Sequence, residues 1–203
     1  MSSDSIDGRS RQESILASAC LGGVECKYNG TSAGQMPAKV DLEGVTLACP
    51  EELGGLVTPR PRAEIVGGDG YDVLDGKARV VTCDGEDVTS QYIAGAYRTL
   101  AIAQKSAVSI AVLQEFSPSC GRRMISDGSF TRTRVEGVGV TTALLIRNGI
   151  DVVGRIQPLS TSLDDLGKVD VIRSTEHRTD TQIINQSSLA IYSQDELLQI
   201  RGT

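Results

Sequence analysis

Residues 87–113, DVTSQYIAGAYRTLAIAQKSAVSIAVL, contain a helix signal followed by a buried-strand signal. The cap residues Asp87 and Thr89 precede an apolar stripe, which predicts a helix that ends near Ser106. The stripe consists of residues spaced four and three apart: Tyr92, Ala96, Leu100 and Ala103. Residues 109–113 (SIAVL) are a short apolar run, which predicts a buried strand. A helix that leads into such a strand is typical of an α/β protein.

The same alternation continues on both sides of this unit. Residues 137–148 predict a second helix, which ends before Gly149. The apolar runs 63–66 and 78–82 are separated by glycine-rich turn signals and predict a small hairpin. Further short apolar runs predict buried strands at residues 14–20, 44–49 and 150–153. We therefore expect a single α/β domain with a mostly parallel sheet flanked by helices, plus this hairpin.

The two ends of the chain differ from the predicted domain, which covers residues 14–154. Residues 1–13 are rich in Ser, Asp and Arg without the apolar stretch of a signal peptide, so we expect a disordered lead-in. Residues 155–203 form a polar C-terminal extension that contains the sole histidine, His177. No apolar run is long enough to span a bilayer, and we expect a cytoplasmic protein without a membrane anchor.

Composition argues against several classes of protein. The chain has 203 residues, a hydrophobic fraction of 39% and no Trp, so the expected core is aliphatic. The net charge of −6 argues against unaided nucleic-acid binding, which requires a surplus of Lys and Arg. An odd count of 5 cysteines without an export signal argues against a disulfide framework. The thiols are then buried filler, metal ligands or nucleophiles.

Three cysteines stand where predicted strands end or where a loop follows one. Cys20 and Cys49 end the first two predicted strands, and Cys120 lies in the loop after the third. Loops at the carboxyl ends of parallel strands meet at one crevice, so these thiols can share a metal site. Three thiolates leave one coordination position open, on zinc or on an iron–sulfur cluster alike. The alternative is that Cys20 and Cys49 are small buried residues at strand ends.

The other two cysteines are weaker candidates. Cys26 follows Cys20 within the same loop and either ligates the metal or remains a spare thiol. Cys83, beside Asp84, is expected to be a half-buried structural residue. A redox protein without metal requires a reactive pair, and the spacing of Cys20 and Cys26 does not match CxxC.

Six motifs follow one another along residues 14–153. They are SACLGGVECKYNG (18–30), ACPEELGGLVTPRPRAEI (48–65), DVTSQYIAGA (87–96), SPSCG (117–121), DGSFTRT (127–133) and GVGVTTALLIRNGI (137–150). Taken together, these motifs resemble the thiouracil desulfidase family. The resemblance implies a [4Fe–4S] cluster bound by three cysteines, which are Cys20, Cys49 and Cys120 here. It also implies that a thiolated pyrimidine loses its sulfur at the iron that no cysteine ligates, with release of sulfide.

The resemblance further implies a carboxylate and a serine beside the cluster. Glu51 matches the carboxylate, as general base for water or acid for the ring nitrogen, and Ser117 matches the serine. Ser119 and Arg60 are additional candidates for substrate contact. The residues by themselves allow other interpretations: Glu51 as a first-turn helix carboxylate after Pro50, the serines as turn residues, and Arg60 as a solvated loop arginine.

The chain departs from the family pattern at two places. Lys27 and Asn29 stand where Arg and Asp are usual, and Gln114 and Glu115 precede the SPSCG loop where a lysine is frequent. These changes bear on the identity of the substrate more than on the binding of the cluster.

Two alternatives to a small-molecule desulfidase remain. One is a non-catalytic iron–sulfur or zinc module with a structural or sensing role, which a fourth thiolate from Cys26 would favour. The other is a thiolated tRNA as substrate, against which the acidic balance argues. A local set of basic residues supports the tRNA alternative: Lys27, Arg60, Arg62, Arg122, Arg123, Arg132 and Arg134.

Overall fold

A computed structural model describes residues 14–34, 42 and 44–156. The predicted lead-in, His177 and the extension from residue 157 onward lie outside the described residues. The strands are β1 (Ser14–Ser18), β2 (Val45–Ala48), β3 (Ala63–Val66), β4 (Arg79–Thr82), β5 (Val108–Gln114), β6 (Met124–Ser126), β7 (Arg134–Glu136) and β8 (Asp151–Arg155). The helices are α1 (Pro50–Leu53), α2 (Gly70–Leu74), α3 (Thr89–Lys105) and α4 (Val140–Arg147), with a 3-10 helix at Ala19–Gly22.

The central sheet has four parallel strands in the order β2–β1–β5–β8. This confirms the predicted α/β domain with a mostly parallel sheet. The inner strands β1 and β5 carry fully buried residues such as Leu16, Ala111 and Leu113. Strands covered on both faces are apolar along their whole length, which is why short apolar runs were sufficient to locate them. Among the described helices, none is long and apolar enough to cross a membrane.

Helix α3 presents its predicted apolar stripe to the core. Tyr92, Ala96, Leu100 and Ala103 are all buried. Gly95 lies on the same face, where a Cβ atom would overlap the carbonyl oxygen of Pro50. The absence of a side chain at Gly95 therefore lets α1 pack directly on α3, and this contact fixes the position of α1 at the edge of the sheet.

Strands β3 and β4 form the predicted antiparallel hairpin, but their connection contains helix α2. The side chain of Asp69 accepts the backbone N–H of Asp72, and the side chain of Asp72 accepts the backbone N–H of Asp69. This capping box stabilises a helix of 5 residues. The prediction missed α2 because the glycines around it are typical of turns.

A second hairpin, formed by β6 and β7, was not predicted. Each strand has only 3 residues and β7 is exposed throughout, so no apolar alternation marks it. The loop between these strands is bound to Glu64, whose buried carboxylate accepts the backbone N–H groups of Gly128 (3.1 Å) and Phe130 (3.0 Å). The motif DGSFTRT thus forms a tethered loop beside β3.

Candidate metal centre and active site

Four cysteines meet beyond the carboxyl ends of β1, β2 and β5. Cys20 lies in the 3-10 helix after β1, and not at the end of the strand as predicted. Cys49 follows β2 and is the N-cap residue of α1. Cys120 lies in the loop after β5, and Cys26 lies in the loop after the 3-10 helix. All of the chain's cysteines belong to the described part and are free thiols.

Cys26 joins three of these thiols in one contact group. The Cys26 thiol is within hydrogen-bonding contact of Cys20 and of Cys49. The Cys49 thiol also donates to the carbonyl oxygen of Cys26 at 3.7 Å. The sulfur atoms of Cys26 and Cys49 and a carboxylate oxygen of Glu52 lie within 4.8 Å of one another. Cys26, which the sequence made the weaker candidate, is therefore a buried member of this thiol group.

Burial and close neighbours raise the pKa of three of these thiols, Cys26, Cys49 and Cys120. The hydrogen bond to Cys20 and burial raise the pKa of Cys26 to about 12. Burial and the charge of Glu51 raise the pKa of Cys120 to about 12. The hydrogen bond to Cys26 and burial also raise the pKa of Cys49. Thiolates so close together repel unless a cation offsets their charge. Zinc and iron–sulfur clusters are the groups that such a thiolate set binds, so the donor set fits the cluster that the resemblance implies.

Ser18 and Gln114 each form a hydrogen bond to one of these thiols. The Ser18 hydroxyl accepts the backbone N–H of Gln114 at 2.9 Å and hydrogen-bonds to Cys120. The Gln114 Oε1 atom accepts the Cys20 thiol at 3.9 Å. The sequence interpretation assigned no role to Ser18, although a serine within an otherwise apolar buried strand was a visible signal. Hydrogen bonds to ligand sulfurs are one means by which proteins tune a metal centre.

Glu51 lies in the first turn of α1 and is held by three neighbours. Its Oε2 atom accepts the Arg60 Nε–H at 2.8 Å and lies 2.7 Å from the Arg60 Nη2 atom in a salt bridge. Its Oε1 atom accepts the Ser117 hydroxyl at 3.4 Å. Tyr92 packs beside the same carboxylate, and burial together with the Glu51 charge raises the pKa of Tyr92. The structure thus brings Glu51, Arg60 and Ser117 together.

The two candidate serines have different surroundings. The Ser117 hydroxyl accepts the backbone N–H groups of Ser119 (3.1 Å) and Cys120 (3.2 Å), and it donates to Glu51. Ser119 is fully buried, and its hydroxyl hydrogen-bonds to Thr141 at 2.9 Å. Ser117 therefore faces the carboxylate, whereas Ser119 joins the loop to α4. Cys83, expected to be half-buried, is exposed and lies outside the thiol group.

Comparison with known proteins identifies the family. The family model described as 2-thiouracil desulfurase matches residues 15–155. The chain belongs to the 2-thiouracil desulfurase family. A curated relative, the uncharacterized protein YbbK of Bacillus subtilis (strain 168), is 50% identical over 141 residues, which cover 68% of this chain and 93% of the relative.

One solved structure that is similar to this chain is that of an enzyme that depends on an iron–sulfur cluster. The [4Fe-4S]-dependent thiouracil desulfidase TudS is 37% identical with a TM-score of 0.63, and the match covers 78% of this chain and 95% of that chain. The resemblance seen in the motifs is confirmed. The family and this neighbour together indicate an enzyme of the thiouracil desulfidase kind with a [4Fe–4S] cluster.

In this member of the 2-thiouracil desulfurase family, Glu115 holds the loop that carries Ser117 and Cys120. Its buried carboxylate accepts three successive backbone N–H groups, those of Arg122 (3.2 Å), Arg123 (2.8 Å) and Met124 (2.8 Å). The sequence interpretation noted Glu115 only as a departure from the family pattern. Its place at the end of an apolar strand was the available signal that the carboxylate is buried.

Proposed function

We propose that the protein hydrolyses the carbon–sulfur bond of a thiolated pyrimidine of the thiouracil type. Water replaces the sulfur at the ring carbon, so thiocarbonyl plus water yields carbonyl plus hydrogen sulfide without a net redox change. One observation carries the proposal: the Glu51 carboxylate and the Ser117 hydroxyl are hydrogen-bonded at 3.4 Å, on the two segments that also carry Cys49 and Cys120. A carboxylate beside a thiol-rich centre is suited to proton transfer next to a bound substrate.

Cys20, Cys49 and Cys120 would hold the cluster in this proposal. When bound, a cluster with one iron free of cysteine supplies a soft Lewis acid for the substrate sulfur and so polarises the carbon–sulfur bond. The support from this chain is that Cys20 and Cys49 both contact Cys26 and that Cys120 lies near enough to Cys49 to be affected by its charge. Gln114 and Ser18 hydrogen-bond to Cys20 and Cys120, respectively.

Glu51 would take the proton from the attacking water and return it to the departing sulfur. The Ser117 hydroxyl would orient the Oε1 edge of this carboxylate. It could donate its hydrogen bond either to the carboxylate or to the substrate. Both groups sit on rigid supports: α1 is packed on α3, and the Ser117 loop is bound through its backbone to Glu115. Preorganised groups of this kind lower the barrier by holding reacting atoms in place.

Arg60 and Ser119 have no direct contact with the substrate in this mechanism. The hydroxyl of Ser119 is buried against Thr141, and the guanidinium of Arg60 is bound to Glu51. A small thiolated pyrimidine is the substrate class that the family supports. The non-catalytic alternative is supported by Cys26, which offers a fourth thiol beside Cys49.

The test is a Glu51→Gln variant loaded with its cluster under anaerobic conditions. Loss of a general base lowers kcat by about 10²- to 10⁴-fold, whereas iron and sulfide content should match those of the wild type. The assay follows uracil by chromatography and sulfide colorimetrically with 2-thiouracil as substrate. Glu86→Gln, an exposed carboxylate in a turn, is the matched control and should keep full activity. Full activity in loaded Glu51→Gln protein would remove the proposed role.

A further inference from the structure

Arg60 lies within the site, not on the surface of its loop. Its side chain is only 6% exposed. Its Nη1 group donates to the carbonyl oxygen of Val57 (3.3 Å) and to the hydroxyl of Thr58 (2.8 Å). Its Nη2 group donates to the carbonyl oxygen of Cys26 (2.9 Å), and its Nε–H donates to Glu51, with which Arg60 forms a salt bridge. Each of the three guanidinium nitrogens thus donates to an acceptor in the described part of the chain.

The contacts of Arg60 join two segments of the site. Glu51 lies on α1, and Cys26 lies on the loop after the 3-10 helix. The backbone N–H of Arg60 also donates to the carbonyl oxygen of Tyr28 at 2.8 Å, which ties the same loop a second time. A planar fork of donors can satisfy a carboxylate and a carbonyl at once, which the point charge of a lysine cannot do.

The two oxygens of Glu51 have different partners, and Tyr92 packs beside the same carboxylate. Arg60 pairs with Oε2 through a hydrogen bond and a salt bridge, and Ser117 donates to Oε1. This division fixes the rotation of the carboxylate about its last bond. The ion pair is also buried on both sides, since Glu51 is only 14% exposed, so solvent does not compete strongly for either partner.

We propose that Arg60 is a positioning residue: it aims the Oε1 edge of Glu51 at Ser117, fixes the Cys26 segment, and makes no contact with the substrate. The inference rests on the proposed function, because it assigns to Arg60 a role that acts through Glu51. The substrate contact that the sequence suggested for Arg60 would require it to break one of the bonds described above.

The experiment compares Arg60→Met and Arg60→Lys with the wild-type protein, all loaded anaerobically and assayed with 2-thiouracil. We expect iron content, sulfide content and the visible spectrum to be unchanged. A misplaced catalytic group costs on the order of 100-fold, so kcat of Arg60→Met should fall by about that factor while KM stays within about 3-fold. Arg60→Lys retains the charge without the fork, and its kcat should lie between the two.

A double variant distinguishes action through Glu51 from an independent role. On a Glu51→Gln background, Arg60→Met should reduce kcat by less than about 3-fold, because the group that it positions is already disabled. The matched control is Arg79→Met, which removes an arginine from an exposed ion pair with Asp87 and should leave kcat and KM unchanged.

Three results would overturn the inference. A raised KM with unchanged kcat would mean that Arg60 binds the substrate. Losses that multiply in the double variant would mean that Arg60 acts independently of Glu51. Loss of iron in both Arg60 variants would mean that the residue only maintains the cluster site.

The failure of the proposed function would look different. In that case the wild-type protein itself would release no sulfide from 2-thiouracil. The inference would then be judged by the crystal structure of the loaded Arg60→Met variant. A Glu51 carboxylate turned away from Ser117 would support it, and an unchanged contact between the two would overturn it.

Discussion

Replacing Glu115 by alanine removes one carboxylate that binds the backbone of three consecutive residues, 122–124. Hydrogen bonds to a charged acceptor contribute about 1.5–3 kcal/mol each, but here all three share the Oε1 atom and are not additive. Breaking such a buried cluster costs about 4 kcal/mol, because the freed N–H groups lose their acceptor. This is a large part of the stability of an ordinary domain, about 5–15 kcal/mol.

The assay is thermal unfolding of the loaded protein, followed by circular dichroism and by release of iron. At about 2–4 °C per kcal/mol for a chain of this size, Tm should fall by roughly 8–16 °C in Glu115→Ala. Glu115→Gln retains one acceptor oxygen and should lose about half as much. Because the loop carries Cys120, iron release should accelerate together with unfolding. The matched control is Asp127→Ala, an exposed carboxylate whose bonds within the described residues are to nearby Ser129, and its Tm should change by less than about 2 °C. A Tm of Glu115→Ala within about 2 °C of the wild type would refute the reasoning.

Three further variants test the packing and the ligand set. Replacing a helical glycine by alanine normally stabilises the helix by about 1 kcal/mol. In Gly95→Ala, however, the new Cβ atom would overlap the carbonyl oxygen of Pro50, so Tm should fall. A higher Tm would contradict the close packing of α1 on α3. Cys26→Ser should retain about four iron atoms per chain, whereas Cys49→Ser should lose iron, as measured by iron and sulfide quantitation. An equal loss of iron in both variants would show that Cys26 is a cluster ligand in the same way as Cys49.

The fold could be predicted because its central strands are buried on both faces. Apolar runs such as residues 109–113 are continuous in the sequence, so local composition identifies them. The stripe on α3 is likewise a local periodicity. The hairpin of β6 and β7 could not be found in this way, because exposed strands of 3 residues carry no apolar pattern. Helix α2 was not predicted, because the glycines next to its capping box are typical of turns.

The site was predicted less completely, because many of its contacts join residues that are distant in the sequence. Motifs indicate Glu51 and Ser117, but the contacts of Arg60 with Glu51 and Cys26 span 9 and 34 positions, and no periodicity indicates such contacts. The sequence therefore predicts a substrate contact for Arg60, which stays a prediction, and does not predict its bonds to Glu51 and Cys26. The same limit applies to Cys26, whose burial among the other thiols depends on how its loop folds back.

The central claim is that this chain, loaded with its cluster, hydrolyses thiouracil by itself. The most direct measurement is anaerobic reconstitution with iron and sulfide, followed by incubation with 2-thiouracil in the absence of any electron donor. We expect about four iron atoms and four sulfides per chain, and uracil and released sulfide formed in equal amounts over many turnovers. Fully loaded protein that forms no uracil, or that forms it only when a reductant is supplied, would contradict it.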